Sequence, residues 1–390
     1  MLPEARLRVL QKLRREGIAV SRLRSARLPA VVSFLSEITI VTISIYLPLR
    51  AYQLGAGSFI VGLVGGSGSL VYIFAPFFMG RLSDRVGSRR LVGAGTAVIA
   101  VLCYSYTTVS APELFIPLRI VEGVAWGAVW APLEALYSVS GRDTFASLKT
   151  FNVSWGLGAV LAPLLGVAIV SWGGIPRALL VSSVAMALAL AASLGIRGGK
   201  ARPSPSAGAR DLRATAALLP FAVMYGATTS TISTFFPRYA VTLGFSQLWW
   251  GAIISALLAG RLAAFFYSER MRAAVGAHGM QTGFTAAALA FPVLSILYPH
   301  GIYPMIAASF ATGFFMGVVY SGTLNLMLAG PEGSRGSSAG LFESSLGLGT
   351  FAGPALAGIA ASSGLWVTMA VPVASMLLAL AFRAGLGGRR

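Results

Sequence analysis

Charged residues are scarce in this sequence: they make up 11% of its 390 residues, while 56% are hydrophobic. Soluble domains carry about 25% charged residues, so the composition argues against a soluble enzyme with one or two cores. It also argues against a disordered chain, which needs more charge and less apolar content. One cysteine and two histidines provide neither a disulfide framework nor the ligands of a thiolate or histidine-rich metal centre. We therefore predict no metal site.

Acidic residues are also few. The chain has 30 lysines and arginines against 12 aspartates and glutamates, which gives a formal net charge of +18. In a soluble protein this excess would indicate a nucleic-acid partner. Here the basic residues lie between long apolar runs, which is the pattern of loops that flank membrane spans. We therefore predict a lipid bilayer as the surroundings and no nucleic-acid partner.

A spanning helix needs about 20 apolar residues, and twelve runs in the sequence meet this requirement. Twelve such spans leave about 12 residues for each connection, which is too few for a sizeable soluble domain. The predicted fold class is an all-α integral membrane protein with twelve transmembrane helices. The predicted spans are 28–50, 58–80, 91–110, 113–138, 145–171, 176–196, 214–242, 246–268, 277–298, 302–329, 337–360 and 364–385.

The segment before the first span, residues 1–27, interleaves basic residues with apolar ones such as Leu7, Val9 and Leu13. It is too long and too charged for the start of a secretory signal. Two interpretations fit this cytoplasmic segment. It is either an amphipathic helix on the membrane surface or a solvated basic tail.

The basic residues are distributed unevenly between the connections. Alternate connections carry most of them, whereas the opposite connections hold only Arg50, Arg177 and Arg238. Because basic loops face the cytoplasm, both termini are predicted to be cytoplasmic. The predicted location is the cell membrane, crossed several times.

The two halves of the sequence repeat each other. Phe151-x-x-Ser154-x-Gly-Leu-Gly recurs from Phe342, and Ile43-Ser44 followed by a proline recurs from Ile232. We predict two pseudo-symmetric six-helix bundles with the same orientation, an arrangement that suits a transporter rocking around a central site. Their predicted bounds are 28–196 and 214–385, with a cytoplasmic linker at 197–213 and a cytoplasmic tail at 386–390.

The connection after span two reads Gly80-Arg81-Leu82-Ser83-Asp84-Arg85-Val86-Gly87-Ser88-Arg89-Arg90. It resembles the Gly-x-Leu-x-Asp-Arg-x-Gly-Arg-Arg pattern that the major facilitator superfamily carries between helices two and three, with Ser88 in place of a basic residue. The first glycine permits close helix approach and the second permits the turn. The resemblance implies that the aspartate accepts hydrogen bonds from the amino end of helix eleven. The implied cytoplasmic gate consists of Gly80, Asp84, Arg85, Gly87, Arg89 and Arg90.

In span four, Arg119-x-x-x-Gly123-x-x-x-Gly127 resembles a second pattern of the same family. An arginine at mid-helix costs about 2.5–3.5 kcal/mol to insert and needs a partner. Glu122, three residues on, can share its helix face. Two roles remain open for this pair. It either neutralises itself and only orders the bundle, or it is the proton-linked charge switch that the resemblance to exporters implies.

In span five, Gly158 and Pro163 resemble a glycine–proline pattern of the family's exporters, and Gly353 and Pro354 are their counterparts in span eleven. Proline kinks a helix, and small residues allow close packing. The resemblance favours export, while simple helix-contact geometry is the alternative interpretation.

Glu37 lies about nine residues into span one, roughly 13 Å along the helix. An intramembrane ionisable group is a functional candidate by default, so Glu37 is predicted to be the proton-binding residue. A glutamate hydrogen-bonded between helices is the alternative. Arg119 and Glu122 are further candidates for proton coupling or substrate binding. Glu134 and Glu343 are predicted to be gate or interface residues, and Glu343 is also a cavity-lining candidate.

An apolar cavity with a few polar groups suits amphipathic organic substrates. Membrane-facing positions are the alternative for its aromatic candidates, and bonds between helices are the alternative for its amides. The candidates for lining this cavity are Tyr46, Trp126, Trp130, Asn152, Trp155, Tyr225, Phe235, Tyr320 and Asn325.

The chain has no phosphate-binding loop and no catalytic constellation, so we predict a transporter and not an enzyme. The predicted function is secondary active transport by alternating access: a monomer without a cofactor exports small amphipathic molecules in exchange for protons. One proton driven by about 150–200 mV supplies about 3.5–4.5 kcal/mol. The alternatives are an uptake permease for a sugar, carboxylate or other nutrient, and a non-transporting receptor or scaffold on the same fold.

Overall fold

The computed structural model describes residues 2–139, 144–196, 217–328 and 335–387, and within these ranges it contains helices and no β-strand. The predicted linker at 197–213 lies outside the described residues. The α-helices are α1 (Leu2–Gln53), α2 (Ser58–Tyr72), α3 (Ala75–Val86), α4 (Ser88–Thr108), α5 (Phe115–Val139), α6 (Thr144–Leu194), α7 (Leu219–Thr242), α8 (Gln247–Ala287), α9 (Ala290–Leu297), α10 (Ile302–Leu328), α11 (Arg335–Ala360) and α12 (Ala370–Gly387).

Nine stretches of the described chain are long and apolar enough to cross a membrane. One of them, Phe151–Leu194, holds two spans, because α6 breaks at Gly173 and Gly174. The apolar α2 together with α3 forms span two, and the 24-residue α7 forms span seven. Within the described ranges the helices therefore match the twelve predicted spans, and the predicted twelve-helix fold is confirmed.

The predicted ends of the spans differ from the observed ends of the helices in three ways. α1 continues from span one back to Leu2, so the backbone of the amino-terminal segment is helical, while its side chains up to residue 26 lie outside the described part. Spans two and nine are each split, and Pro76 and Pro292 follow the breaks because proline is tolerated in a first helical turn but not in a helix interior. Gly276, with a φ of +68°, divides α8 between spans eight and nine.

The internal repeat is visible as repeated backbone contacts. A Cβ added at Gly123 in α5 would collide with the Gly68 carbonyl oxygen of α2, and one added at Gly313 in α10 would collide with the Leu257 carbonyl oxygen of α8. These two contacts join spans two and four in one half and spans eight and ten in the other. Both halves therefore use glycine for the same close helix approach.

A second pair of contacts repeats in the same way. A Cβ at Gly158 in α6 would lie 2.5 Å from the Phe34 carbonyl oxygen of α1, and a Cβ at Gly349 in α11 would collide with the Val223 carbonyl oxygen of α7. Spans one and five thus pack as spans seven and eleven do. The two six-helix bundles are pseudo-symmetric in their packing as well as in their sequence.

The bundles meet along α2 with α11 and along α6 with α8. A Cβ at Gly62 in α2 would collide with the Pro354 carbonyl oxygen, and the Ser344 hydroxyl donates to the Ile73 carbonyl oxygen at 2.8 Å. On the other seam, a Cβ at Gly156 in α6 would lie 2.6 Å from Cδ1 of Leu262. These two seams enclose the space between the bundles.

Candidate functional site

A cavity of about 260 Å³ lies between the two bundles, and most of its lining is apolar or uncharged. Helices α1, α2, α5, α7, α8 and α11 all contribute residues to it. Both bundles therefore contact whatever occupies this space. Among the described residues, four charged ones line it: Glu37, Arg119, Arg261 and Glu343.

Glu37 forms an ion pair that joins the two bundles. Nη2 of Arg261 in α8 donates to Oε1 of Glu37 in α1 at 3.3 Å, and the exposed fractions of the two side chains are 12% and 10%. These residues are 224 positions apart in the chain. The carboxylate and the guanidinium compensate each other's charge within the cavity wall.

Aromatic rings surround the guanidinium of Arg261. Its Cζ atom lies 4.8 Å from the centre of the Trp155 ring, and Nη1 donates to the Tyr225 hydroxyl at 3.3 Å. Such cation–π contacts stabilise a charge that has left water. Nε of Arg261 is buried without a hydrogen-bond partner among the described residues. The guanidinium is thus held by contacts to Glu37, Tyr225 and Trp155.

Arg119 and Glu122 form the other buried ion pair, with Arg119 Nη1 donating to Glu122 Oε1. Glu122 is fully buried and accepts two more hydrogen bonds, from the Tyr106 hydroxyl and from Nε1 of Trp126 at 2.7 Å. Arg119 Nε donates to the Val64 carbonyl oxygen at 3.2 Å. Each charge has its partner inside the amino-terminal bundle, so this geometry supports the self-neutralising interpretation of the pair.

Glu343 in α11 lines the same cavity and is half-buried. Neither of the two ion pairs found among the described residues includes it. In the sequence repeat, Phe342 corresponds to Phe151, so Glu343 stands where the amino-terminal bundle has Asn152. That asparagine accepts a hydrogen bond from Nε1 of Trp155 at 3.1 Å. The side chain of Glu134, the other predicted gate residue, lies outside the described part.

The aromatic candidates fall into several environments. Trp126 and Trp130 line the central cavity and stack with ring centres 6.3 Å apart. The rings of Tyr225 and Tyr320 lie 4.7 Å apart at a tilt of 39°, and Tyr225 accepts a hydrogen bond from Arg261. Phe235 is fully buried in the apolar core. The amide candidate Asn325 has an exposed side chain.

Tyr46 is placed at a barrier between the central cavity and a second one. Its ring packs against Trp250 at 5.8 Å, and its hydroxyl donates to the Pro163 carbonyl oxygen at 3.3 Å. Both rings line a second cavity of about 260 Å³, which also includes Arg238. Along α1 and α8, Tyr46 and Trp250 lie between the lining residues of the central cavity and the other lining residues of the second cavity.

The predicted gate motif is described only in part. Arg85, Arg89 and Arg90 are exposed, and Gly87 has a φ of +91° in the turn between α3 and α4. The side chain of Asp84 lies outside the described part, so its predicted bond to helix eleven stays a prediction. A Cβ built at Gly80 meets no described atom within 4 Å, and the close helix approach expected there stays a prediction, since the side chains at the start of α11 lie outside the described part.

The glycine–proline positions make contacts to other helices. Gly158 packs against α1, and a Cβ at Gly353 would lie 2.5 Å from the Ala227 carbonyl oxygen of α7. The Pro163 carbonyl oxygen accepts the Tyr46 hydroxyl, and that of Pro354 faces Gly62. This segment of α11 therefore contacts its own bundle on one side and α2 of the other bundle on the opposite side. Within the described residues, no group of three or more potential metal ligands is found.

The sequence did not single out Arg261 as a partner of Glu37. Its signal was present, since Arg261 falls within a predicted span, and an intramembrane arginine requires a partner. Tyr72 lines the central cavity and Trp250 lines the second one, although neither was predicted to line a cavity.

Comparison with known proteins shows the family. Residues 30–280 match the sequence profile of the Major Facilitator Superfamily. A gentisate transporter of Corynebacterium glutamicum is 25% identical over 336 residues, which are 77% of this chain and 72% of that protein. A crystal structure of the nucleoside transporter NupG has a TM-score of 0.75 and covers 92% of this chain and 98% of that one. Its sequence is 15% identical, so this likeness shows the fold alone.

Two further relatives match shorter stretches. A glycerol-3-phosphate transporter of Bacillus subtilis is 33% identical over 124 residues, which are 29% of this chain and 28% of that protein. A multi-drug resistance efflux pump PmrA homolog of Lactococcus lactis is 26% identical over 148 residues, or 36% of each chain. The chain thus spans less than half the length of these two relatives in the alignments.

Proposed function

Since the chain belongs to the Major Facilitator Superfamily of multi-pass membrane transporters, we propose that it is a proton-coupled exporter of small amphipathic organic compounds. It works by alternating access in the cell membrane, as a monomer with both termini in the cytoplasm, and it uses the proton gradient as its energy source. The observation that carries the proposal is the ion pair between Glu37 and Arg261, which joins the two bundles across the central cavity.

Protonation of Glu37 can change the contact between the two bundles. A proton on Glu37 removes the carboxylate charge and with it the attraction between α1 and α8. Two opposite charges 4 Å apart attract by about 4 kcal/mol where the effective dielectric constant is about 20. One proton driven by about 150–200 mV supplies about 3.5–4.5 kcal/mol. The gradient is therefore large enough to open and remake this contact once in each cycle.

Export is the direction favoured by the glycine–proline pattern and by the likeness to the efflux pump homolog. An uptake permease is the second candidate, and Arg261 favours it. A proton on Glu37 would free the guanidinium, which binds carboxylates and phosphates well, and two of the relatives are named as gentisate and glycerol-3-phosphate transporters. In that case the proton and an anionic substrate would travel together.

Purified protein in proteoliposomes with an internal pH dye tests the coupling. A panel of amphipathic cations, sugars and carboxylates is added, and proton movement is recorded with counterflow of the labelled compound. Glu37→Gln is expected to abolish substrate-triggered proton movement while counterflow continues. Glu113→Gln, which changes an exposed carboxylate at the start of span four, is the matched control and is expected to behave like the unaltered protein. Unchanged coupling in Glu37→Gln would contradict the proposal.

A further inference from the structure

Among the residues that the structure describes, the charges of the central cavity do not balance. Arg119 is neutralised by Glu122, and Arg261 is neutralised by Glu37. Glu343 lines the same cavity and forms no ion pair among the described residues. With every group ionised, one negative charge in this cavity has no counter-charge from the described chain. A carboxylate in mostly apolar surroundings is costly unless something compensates it.

The repeat shows that packing does not require this charge. At the equivalent position the amino-terminal bundle has Asn152, a neutral amide that hydrogen-bonds to its own helix neighbour Trp155. Two bundles that pack alike can therefore hold a neutral residue here. Glu343 is therefore a charge on the cavity wall that packing does not require. Its position indicates a role in binding the molecule that the cavity holds.

Aromatic side chains line the cavity together with this carboxylate. Trp126 and Trp130 stack on each other and both contribute to the lining. The Trp126 N–H is engaged by Glu122, which fixes the orientation of the indole ring. Indole faces attract organic cations. The cavity thus combines aromatic rings with a carboxylate that has no counter-charge within the described part of the chain.

We propose that the substrates are amphipathic organic cations and that Glu343 is their counter-charge. This inference rests on the proposed function and names the substrate class of that transporter. The cationic group lies against the Glu343 carboxylate, and the apolar body of the substrate contacts the tryptophan rings and the aliphatic lining.

The same charges explain how a proton expels the substrate. When Glu37 takes up a proton, Arg261 keeps its charge and loses its partner, so the net charge of the cavity rises by one. The unpaired guanidinium repels a cation held in the same cavity. Proton and substrate therefore exchange without competing for one carboxylate.

Titration calorimetry on the detergent-solubilised full chain tests the assignment with three soluble probes of similar size. They are benzyltrimethylammonium, which is a cation, benzyl alcohol, which is neutral, and phenylacetate, which is an anion. The unaltered protein is expected to bind the cation most tightly. Glu343→Gln is expected to weaken cation binding about tenfold, because a charge in a low-dielectric cavity loses its counter-charge. Binding of benzyl alcohol is expected to remain unchanged, and Glu113→Gln is expected to leave all three affinities as they are.

A second set of variants tests the exchange. Glu37→Gln imitates the protonated carboxyl and is expected to weaken cation binding. The double variant Glu37→Gln with Arg261→Gln removes both charges, restores the net charge of the cavity and is expected to recover the affinity. Melting temperatures identify misfolded variants, and Glu343→Asn, which introduces the residue of the equivalent position, replaces Glu343→Gln if that protein fails to fold.

Three outcomes would overturn the assignment: no saturable cation binding, a preference for phenylacetate, or cation affinity that is unchanged in both Glu343 variants. A preference for phenylacetate would support the uptake alternative. Coupled proton movement without a charge preference would leave the proposed function standing and remove only the substrate class. Cation binding that depends on Glu343, without any coupled proton movement, would support the substrate class and contradict the proposed proton coupling.

Discussion

Arg119 and Ser309 occupy equivalent positions in the two bundles, and each donates a hydrogen bond to a backbone carbonyl of the facing helix. Nε of Arg119 bonds to the Val64 oxygen at 3.2 Å, and the Ser309 hydroxyl bonds to the Ile253 oxygen at 2.6 Å. A short hydroxyl in one half thus fills a position that a long charged side chain fills in the other. The bond to the facing helix does not by itself require a charge.

This equivalence predicts how the Arg119–Glu122 pair responds to mutation. Arg119→Ser alone leaves Glu122 buried and unpaired, so we expect a loss of about 3–5 kcal/mol in the free energy of unfolding. The double variant Arg119→Ser with Glu122→Thr copies Ser309 and Thr312, and we expect it to recover much of that loss. Thermal unfolding in detergent measures both effects.

The double variant also separates the two roles that the sequence left open for this pair. A structural pair predicts that proton-coupled counterflow continues once the fold is restored. Loss of coupling in a well-folded double variant would instead establish the charge switch.

The seam between α2 and α11 is predicted to be sensitive to a single methyl group. Gly62→Ala places a Cβ against the Pro354 carbonyl oxygen, and overpacking of this kind costs about 1–3 kcal/mol. Because the contact joins the two bundles, we expect slower counterflow together with a fall of a few degrees in melting temperature. Gly283→Ala, which meets no described atom within 4 Å, is the control. Equal rates in the two variants would show that this seam does not limit transport.

The barrier between the two cavities gives a prediction about leakage. Trp250→Ala removes the ring that packs on Tyr46 and lines the second cavity. We expect downhill escape of a transported compound from proteoliposomes without a proton gradient, together with a stability loss of about 3–5 kcal/mol. Trp249→Ala changes the neighbouring, less buried ring and is expected to leak less. A Trp250→Ala protein that does not leak would show that the barrier lies elsewhere.

The orientation of the chain can be tested with its lone cysteine removed. Cys103 is buried, so Cys103→Ala is expected to fold and to provide a background without thiols. Gly57 lies just before α2 and Arg89 lies in the first turn of α4, so these two exposed residues flank span two. A membrane-impermeant maleimide added to intact cells is expected to label Gly57→Cys and not Arg89→Cys, while broken cells allow both. The reverse pattern would place the termini outside.

Much of the fold follows from local properties of the sequence. The length of each apolar run sets a span, and prolines such as Pro76 and Pro292 mark where a span divides. The repeat around Phe151 and Phe342 predicted two similar bundles. The pairing of Arg119 with Glu122 was also predictable, because residues three apart on a helix share a face.

The pairing of Glu37 with Arg261 was beyond such reasoning. It depends on how two bundles dock, and the two residues lie 224 positions apart. Helical periodicity specifies which face a residue occupies, but not which distant helix faces it. The same limit applies to Glu343, because its position in a cavity wall made by both bundles, without an ion-pair partner among the described residues, depends on the docked structure.

The joint at Gly173 and Gly174 has a mechanical consequence. A connection of two residues reaches at most about 7 Å. It therefore cannot absorb a displacement of span five, and span six must move together with span five. Span six presents Val181, Val184 and Leu188 to its surroundings, with exposed fractions of 41%, 54% and 58%. Each opening of the cavity would therefore push these side chains through the acyl chains. The thickness and fluidity of the bilayer therefore affect the rate of each transport cycle through their resistance to the movement of span six.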